Sequence, residues 1–262
     1  MAKTLWAVSD LHTTFAENQQ VVEEFAPHNP GDWLIVAGDV AERIPDVVRT
    51  LRLLSERFAK VIWVPGNHEL FNRKSDRFNG KARYRMLVGQ LRVLGVVTPE
   101  DPFPRFGDVA VCPLFTLYDY SFRPAGLSAR QAINAAKVKL DDELAIAPYV
   151  DIPQWCAERI EYSEARLEAT PGPKILVNHW PLVEEATHRL LHREIALWCG
   201  TRATRDWAKR FNARMTIHGH LHIPAETRVD GISHVEVSLG YPFETYREEL
   251  RRPWPFPVMQ IP

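Results

Sequence analysis

No run of apolar residues in this chain approaches the roughly 18–20 that a membrane-spanning helix needs, so no bilayer segment is expected. Cysteine is scarce. Cys112, Cys156 and Cys199 are odd in number, far apart and in no zinc-like spacing, which argues against a disulfide framework and for a reducing compartment. An excess of one charge is missing too. The formal net charge is −1, so no global field recruits nucleic acid or an anionic membrane. The N-terminus enters an apolar strand almost at once and leaves no room for a signal peptide; a cytoplasmic protein is the expectation. Neither an internal repeat, a low-complexity tract nor a linker divides the 262 residues, and a single domain spanning 1–262 is the simplest organisation. Apolar residues make up 45% and charged residues 25%, the balance of a soluble globule with a large core.

What the chain does have is one event repeated five times. Residues 61–69 are Val-Ile-Trp-Val-Pro-Gly-Asn-His-Glu. A β-branched apolar run stops at Pro65-Gly66 and presents Asn67, His68 and Glu69. Likewise Leu5-Trp6-Ala7-Val8 runs into Ser9-Asp10-Leu11-His12, and Trp33-Leu34-Ile35-Val36-Ala37 into Gly38-Asp39. Lys174-Ile175-Leu176-Val177 runs into Asn178-His179-Trp180, and Met215-Thr216-Ile217 into His218-Gly219-His220-Leu221-His222. Open α/β sheets hold ligands at the carboxyl ends of their strands.

The connecting segments fill in an α/β pattern. Apolar residues at helical spacing (Val47, Val48, Leu51, Leu54, Phe58) predict a helix over 45–60, and a weaker one falls near 15–26. The first quarter therefore reads βαβαβ, a parallel sheet with right-handed crossovers. Residues 70–92 are rich in Arg and Lys: Arg73, Lys74, Arg77, Lys81, Arg83, Arg85 and Arg92, opposed only by Asp76. They form either a solvated face or a positive rim beside the site. Strands are expected at 93–97 and 108–115. A helical insertion follows at about 116–172, with helices near 128–143 and 154–169, serving as a lid or as a packing pair over a sheet edge. His188 and His192 stand at i, i+4, but no acid follows the first as in a zincin, so they read as surface or substrate-facing histidines. A helix is expected over 201–212, a strand over 231–239, and an extended tail bearing Pro253, Pro255, Pro257 and Pro262.

Asp10 and His12, two residues apart, can point to one side as their strand ends. Pooling the strand ends gives Asp10, His12, Asp39, Asn67, His179, His220 and His222. Asp, Asn and His together suit a borderline divalent ion such as manganese, iron or zinc. Seven such groups are too many for one ion and suit two, about 3.5–4 Å apart, with one carboxylate shared. His218, still within its strand, reads as a supporting or core histidine.

The order Asp10-Leu-His12, Gly38-Asp39, Gly66-Asn67-His68-Glu69, Asn178-His179 and Gly219-His220-Leu-His222 resembles the calcineurin-like metallophosphoesterases, over most of the chain and with no ligand position missing. The resemblance implies a four-layer α/β/β/α sandwich with two mixed sheets and a centre of two divalent metal ions. Manganese is the leading candidate, with iron, zinc, nickel or magnesium as alternatives. It implies that Asp10, His12 and His222 hold one ion, that Asn67, His179 and His220 hold the other, and that Asp39 bridges them. It makes His68 a proton donor or charge stabiliser near the leaving group. In such a centre two cations lower the pKa of a shared water and neutralise phosphoryl charge during in-line displacement. Glu69 is expected to orient His68, and Trp180 to wall the pocket.

Segments 32–42, 118–124 and 196–201 are similar to an actinobacterial branch of this superfamily associated with phosphopantetheinyl hydrolases, which strip the phosphopantetheine arm from acyl carrier proteins. That likeness implies a phosphodiester substrate on an acidic acyl carrier protein, with 73–92 as docking face. Tyr118, Arg123, Trp180 and Trp198 would contact substrate, the aromatic stretch 118–123 and Trp198 lining a channel for the arm. The alternatives are a phosphodiesterase or phosphatase of a small molecule, such as a nucleotide or CoA-like compound, and a non-catalytic binding module on the same fold. A nucleic-acid partner is not expected, because the basic residues are confined to one stretch.

Overall fold

The computed structural model describes residues 2–72, 76–146, 151–244 and 254–262, with the side chain of residue 143 excepted. Ten strands occur among them: β1 (Lys3–Val8), β2 (Trp33–Val36), β3 (Lys60–Trp63), β4 (Arg105–Phe106), β5 (Val109–Pro113), β6 (Lys174–Val177), β7 (Ala213–His218), β8 (Glu226–Val229), β9 (Ile232–Glu236) and β10 (Phe256–Ile261). The helices are α1 (Ala16–Glu23), α2 (Ile44–Arg57), α3 (Gly80–Val93), α4 (Ala129–Ala135), α5 (Asp142–Ile146), α6 (Ile152–Glu168) and α7 (Trp207–Arg210). The strands form two mixed sheets. One has the order β10-β1-β2-β3 and the other β4-β5-β6-β7-β9-β8. β1, β2 and β3 are parallel and β10 runs against them; β5, β6, β7 and β9 are parallel, with β4 and β8 antiparallel at the edges.

The layering follows from the two-residue period of the strands. Leu5, Ala7, Ile35, Ala37, Ile62 and Val64 of the first sheet pack against Val109, Val111, Ile175, Val177, Ile217 and Val235 of the second. The alternate residues Trp6, Val8, Leu34, Val36, Val61 and Trp63 face outward onto Val47, Leu51 and Leu54 of α2. On the far side Ala110, Cys112 and Leu176 meet Leu167 of α6 and Trp207 and Ala208 of α7. The result is a four-layer α/β/β/α sandwich. Burial on both faces explains why these strands read as continuous apolar runs rather than alternating ones. Each fully buried Leu, Ile or Val contributes about 1.5–3 kcal/mol. The two sheets are stitched together where the polar strand ends emerge. Ser9 pairs with Ser238, Ser9 donates its N–H to the Val237 carbonyl at 3.0 Å, and Leu239 returns a bond to the Ser9 carbonyl at 2.8 Å.

Several expectations change. The strand expected over 93–97 is absent: α3 runs on to Val93, which is 86% exposed. Leu87, Val88 and Leu91 extend the helical spacing into that β-branched stretch, and Gly95, at φ +74°, closes it as glycine does at a helix C-terminus. Only Val97 bridges to Ile62. The helix expected near 128–143 stops at Ala135, and α5 is separate. The helix expected over 201–212 is a 3-10 turn at Arg202–Thr204 followed by α7. β8 and β9 form a hairpin around Asp230-Gly231, both at positive φ, the Asp-Gly signal of a tight turn. The tail is not merely extended: β10 adds an antiparallel strand to β1. Pro253 lies outside the described residues.

Candidate metal centre

All seven strand-end residues come together at the carboxyl edge of the two sheets. Three overlapping groups have ligand atoms within 4.8 Å of one another: Asp10, His12 and His222; Asp10, Asp39 and His179; and His12, Asp39 and His68. Asp10, His12 and Asp39 each belong to two groups. Asn67 joins through its Oδ1, 3.1 Å from His179 Nε2 and 3.0 Å from His220 Nδ1. Five of these residues take backbone conformations that L-residues rarely adopt: Asp10 at φ 52°, His12 at 41°, Asp39 at 54°, His220 at 74° and His222 at 56°. Such conformations cost energy and persist only where the surroundings impose them. Here Asp10 and His12 donate backbone N–H to the carbonyls of Gly38 and Asp39, and Gly240 donates to that of Asp10. Glycine is needed at two close approaches. A Cβ on Gly66 would fall on the Asp39 carboxylate, and one on Gly219 would meet Ser9 and Asp10.

The hydrogen bonds turn the potential ligand atoms inward. His179 Nδ1 lies 2.9 Å from the Ala37 carbonyl, which can only accept. That nitrogen therefore carries a proton, and Nε2 faces Asn67 Oδ1 and, at 3.3 Å, Asp39 Oδ2. His222 Nδ1 faces the Glu244 carboxylate at 3.0 Å, and its Nε2 faces Asp10 Oδ1 at 3.1 Å and His12 Nε2 at 3.1 Å. Asp10 Oδ2 accepts from the Ser9 and Ser238 hydroxyls at 2.6 and 2.7 Å, which leaves Oδ1 for the centre. An inward array of oxygen and nitrogen ligand atoms, with His179 held from behind by a carbonyl and His222 by a carboxylate, is the arrangement a bound cation requires. His220 Nε2 is buried without a hydrogen-bond partner. The residues present fit two divalent cations.

The charge balance agrees. Burial resists ionisation of Asp10, yet His222, His179 and His12 hold its carboxyl well below the usual carboxylate range. Asp39, fully buried, is held low in the same way by His179 and His68. Burial disfavours a charged His179, but Asp39 beside it lifts the imidazole to about 9. Asp10 and Glu244 likewise raise His222 well above its ordinary value against the effect of burial. Burial dominates at His12 and His220, both lowered to about 3. Without a metal the centre thus takes up protons, and a divalent cation competes with them.

His68 sits at the lip, in a 3-10 turn at His68–Leu70. Its Nδ1 is 3.5 Å from Glu42 and its Nε2 3.9 Å from Asp39 and 3.4 Å from the Tyr241 hydroxyl. Burial opposes its protonation, but Asp39 and Glu42 raise its pKa. Glu69 does not orient His68. Its carboxylate accepts from the backbone N–H of Asp39 at 3.0 Å, Val40 at 2.6 Å and Gly66 at 2.7 Å, and so clamps two of the loops together. Glu42, three residues beyond Asp39, faces the imidazole instead. Ser9, Ser238, Glu244, Tyr241 and Asp142 also reach the centre, although none of them is a strand-end ligand of the sequence pattern. The ring of Tyr241 stacks on His12 with centroids 4.2 Å apart.

His218 donates locally to the Gly219 carbonyl at 3.0 Å and is lowered to about 4 by burial, as suits a supporting histidine. His188 and His192 are exposed. Trp180 is fully buried, 5.1 Å from the His179 ring and 5.8 Å from that of His220. Tyr118 and Trp198 lie in the main hydrophobic core, and Arg123 donates to the Leu127 and Tyr120 carbonyls. From the stretch 118–123, Phe122 lines a cavity of about 550 Å³ with Leu127, Ala132, Ala136 and Leu197. The basic stretch is largely engaged. Arg83 is buried on the Glu69 and Glu42 carbonyls, Lys81 pairs with Glu158 and Arg92 with Asp101. Arg77 and Arg85 are exposed, whereas Arg73 and Lys74 lie outside the described residues. No described helix is long and apolar enough to cross a membrane.

Comparison with known proteins gives a consistent result. The model of the calcineurin-like phosphoesterase family matches residues 3–224. The chain is 48% identical, over 260 residues, to the [acyl-carrier-protein] phosphodiesterase PptH of Mycobacterium tuberculosis, covering 94% of this chain and 80% of that protein. Its structure is similar to the crystal structure of the phosphopantetheinyl hydrolase PptH from the same organism, with a TM-score of 0.91 at 45% identity, covering 98% of this chain and 96% of the other.

Proposed function

The chain belongs to the calcineurin-like phosphoesterase family of metal-dependent hydrolases, and from that premise we propose that it is a phosphodiesterase that removes 4′-phosphopantetheine from the serine of acyl carrier protein. The observation that carries the substrate is the near full-length likeness to a protein named for that activity. The strand-end cluster supports the chemistry. Residues 1–262 act in this reading as one catalytic unit, in the cytoplasm, where three unpaired buried cysteines are at home.

In this proposal Asp10, His12 and His222 would hold one divalent cation, Asn67, His179 and His220 would hold a second, and Asp39 would serve both; manganese suits this mixture of imidazole, carboxylate and amide. When bound, the two cations supply the positive charge that polarises the phosphoryl group and makes water nucleophilic near neutral pH. The chain supplies the rest. Ser9 and Ser238 fix the rotation of the Asp10 carboxylate, and Glu244 and the Ala37 carbonyl fix His222 and His179. His68, whose protonated form Asp39 and Glu42 favour against the effect of burial, gives the Nε2 proton to the serine oxygen as the phosphorus–oxygen bond breaks. The products are the free serine hydroxyl and 4′-phosphopantetheine. Tyr241 and Phe243, stacked 5.2 Å apart with Phe243 71% exposed, offer apolar surface to the arm beside His68. Trp180 walls the pocket behind His179 and His220, and Tyr118, Arg123 and Trp198 support the cavity at Phe122. Among the described residues of the basic stretch, Arg77 and Arg85 are the exposed cations that would meet an acidic carrier.

The test is an intact-mass assay with manganese, offering holo acyl carrier protein beside a generic aryl phosphodiester. Loss of the arm's mass from the carrier, abolished together with metal content in Asp39→Ala, is the expected result. Turnover of the aryl ester with the carrier untouched would leave the hydrolase and remove the substrate.

A further inference from the structure

The excursion between β5 and β6 reaches the metal centre from behind. α5 is held against the loop after β3 by three hydrogen bonds. Asn72 N–H donates to the Ala145 carbonyl at 2.8 Å, Asn72 Nδ2 to the Ile146 carbonyl at 3.1 Å, and Asn67 Nδ2 to Asp142 Oδ1 at 3.1 Å. Asp142 stands 75 residues from Asn67 in sequence, and both are buried, 3% and 5% exposed.

The last of these bonds acts on a chemical ambiguity. The two ends of an asparagine amide are nearly the same size, but only the oxygen has a lone pair to offer a cation; the NH₂ group has none. A flipped Asn67 would fit the same space and present the wrong atom. In its ionised form the Asp142 carboxyl, which burial pushes up to about 7, accepts and does not donate, so it binds the NH₂ end and repels the oxygen end. With Nδ2 anchored on Asp142, Asn67 Oδ1 is turned to within 3.1 Å of His179 Nε2 and 3.0 Å of His220 Nδ1. We propose that Asp142 is a positioning residue of the metal centre: it selects the amide orientation in which Asn67 presents oxygen to a cation, so that the excursion completes the centre rather than merely covering it. The inference rests on the reading of the cluster as a two-cation site.

Manganese titration calorimetry and electron paramagnetic resonance on the full chain test it. Wild type takes up two ions and gives a coupled two-ion signal. D142A keeps one site and weakens the other about 10–100-fold, the usual cost of losing a residue that orients a ligand, so its spectrum turns into that of an isolated ion. N67D sets two carboxylates against each other and loses the second ion. The double exchange N67D/D142N, in which amide and carboxylate trade places, regains it. A general packing role for Asp142 does not produce that recovery, and the N67D pair decides the matter even if D142A does not fold. Wild-type affinity for both ions in D142A, or a double exchange as impaired as N67D, overturns the inference. Failure of wild type to take two ions instead overturns the two-cation reading beneath it.

Discussion

Replacing Glu69 by alanine removes one carboxylate and orphans three buried donors, the backbone N–H groups of Asp39, Val40 and Gly66. Each unsatisfied buried donor costs about 1–3 kcal/mol, so the three together cost about 3–9 kcal/mol, a large part of a domain's total of about 5–15 kcal/mol. Charge works the other way, because burial and the nearby Asp39 push the Glu69 carboxyl up to about 7. Glu69→Gln separates the two effects. It removes the same charge but keeps one acceptor oxygen, which can serve Asp39 and Gly66, the two donors that now share Oε2. The alanine variant should therefore fall below the glutamine variant by two orphaned donors, about 2–6 kcal/mol. At about 2–4 °C per kcal/mol for a chain of this size, its melting temperature should be lower by at least about 4 °C. Differential scanning calorimetry of both metal-free variants reads the difference. Equal melting temperatures would refute the clamp.

His68→Ala should retain both metals by elemental analysis while turnover falls about 10²–10⁴-fold, the range for a lost proton donor; normal turnover removes His68 from the mechanism. Because Asp39 and Glu42 raise the His68 pKa, its proton is held above the ordinary histidine range, and Glu42→Ala should move the alkaline limb of the rate profile to lower pH. His179 is lifted from 6.5 to about 9 by Asp39 despite its burial. In the metal-free protein its contribution to stability is full below about pH 6.5 and is lost as pH rises through about 9. Metal binding should accordingly release protons at pH 7 and tighten as pH rises, which calorimetry in buffers of different ionisation enthalpy measures.

The sequence exposes those parts of the site that end a buried strand. An apolar run stopping at Asp, Asn or His is visible without coordinates, and all seven such residues converge at one edge of the sandwich. Residues that reach the centre from elsewhere leave no such mark. Asp142 comes from a short helix in the excursion, Glu244 from the loop after β9, and Ser238 from a stretch that looks like any alternating strand. Glu42, three residues beyond Asp39, and Ser9, next to Asp10, carried a positional hint. Fold errors fell where two periods compete. Val93-Leu94-Gly95-Val96-Val97 is β-branched and strand-like, yet Leu87, Val88 and Leu91 pull its start into α3. The prolines of the tail obscured β10, because an edge strand tolerates Pro257 where a central one would not; Pro257 pairs with Trp6 where the register shifts.

The central claim is that one cluster of seven strand-end residues holds two cations side by side. Anomalous diffraction from manganese-loaded crystals measures this directly. The account predicts two peaks about 3.5–4 Å apart, one beside Asp10, His12 and His222, the other beside Asn67, His179 and His220, with Asp39 between them. A single peak, or a second one away from Asn67, would contradict it.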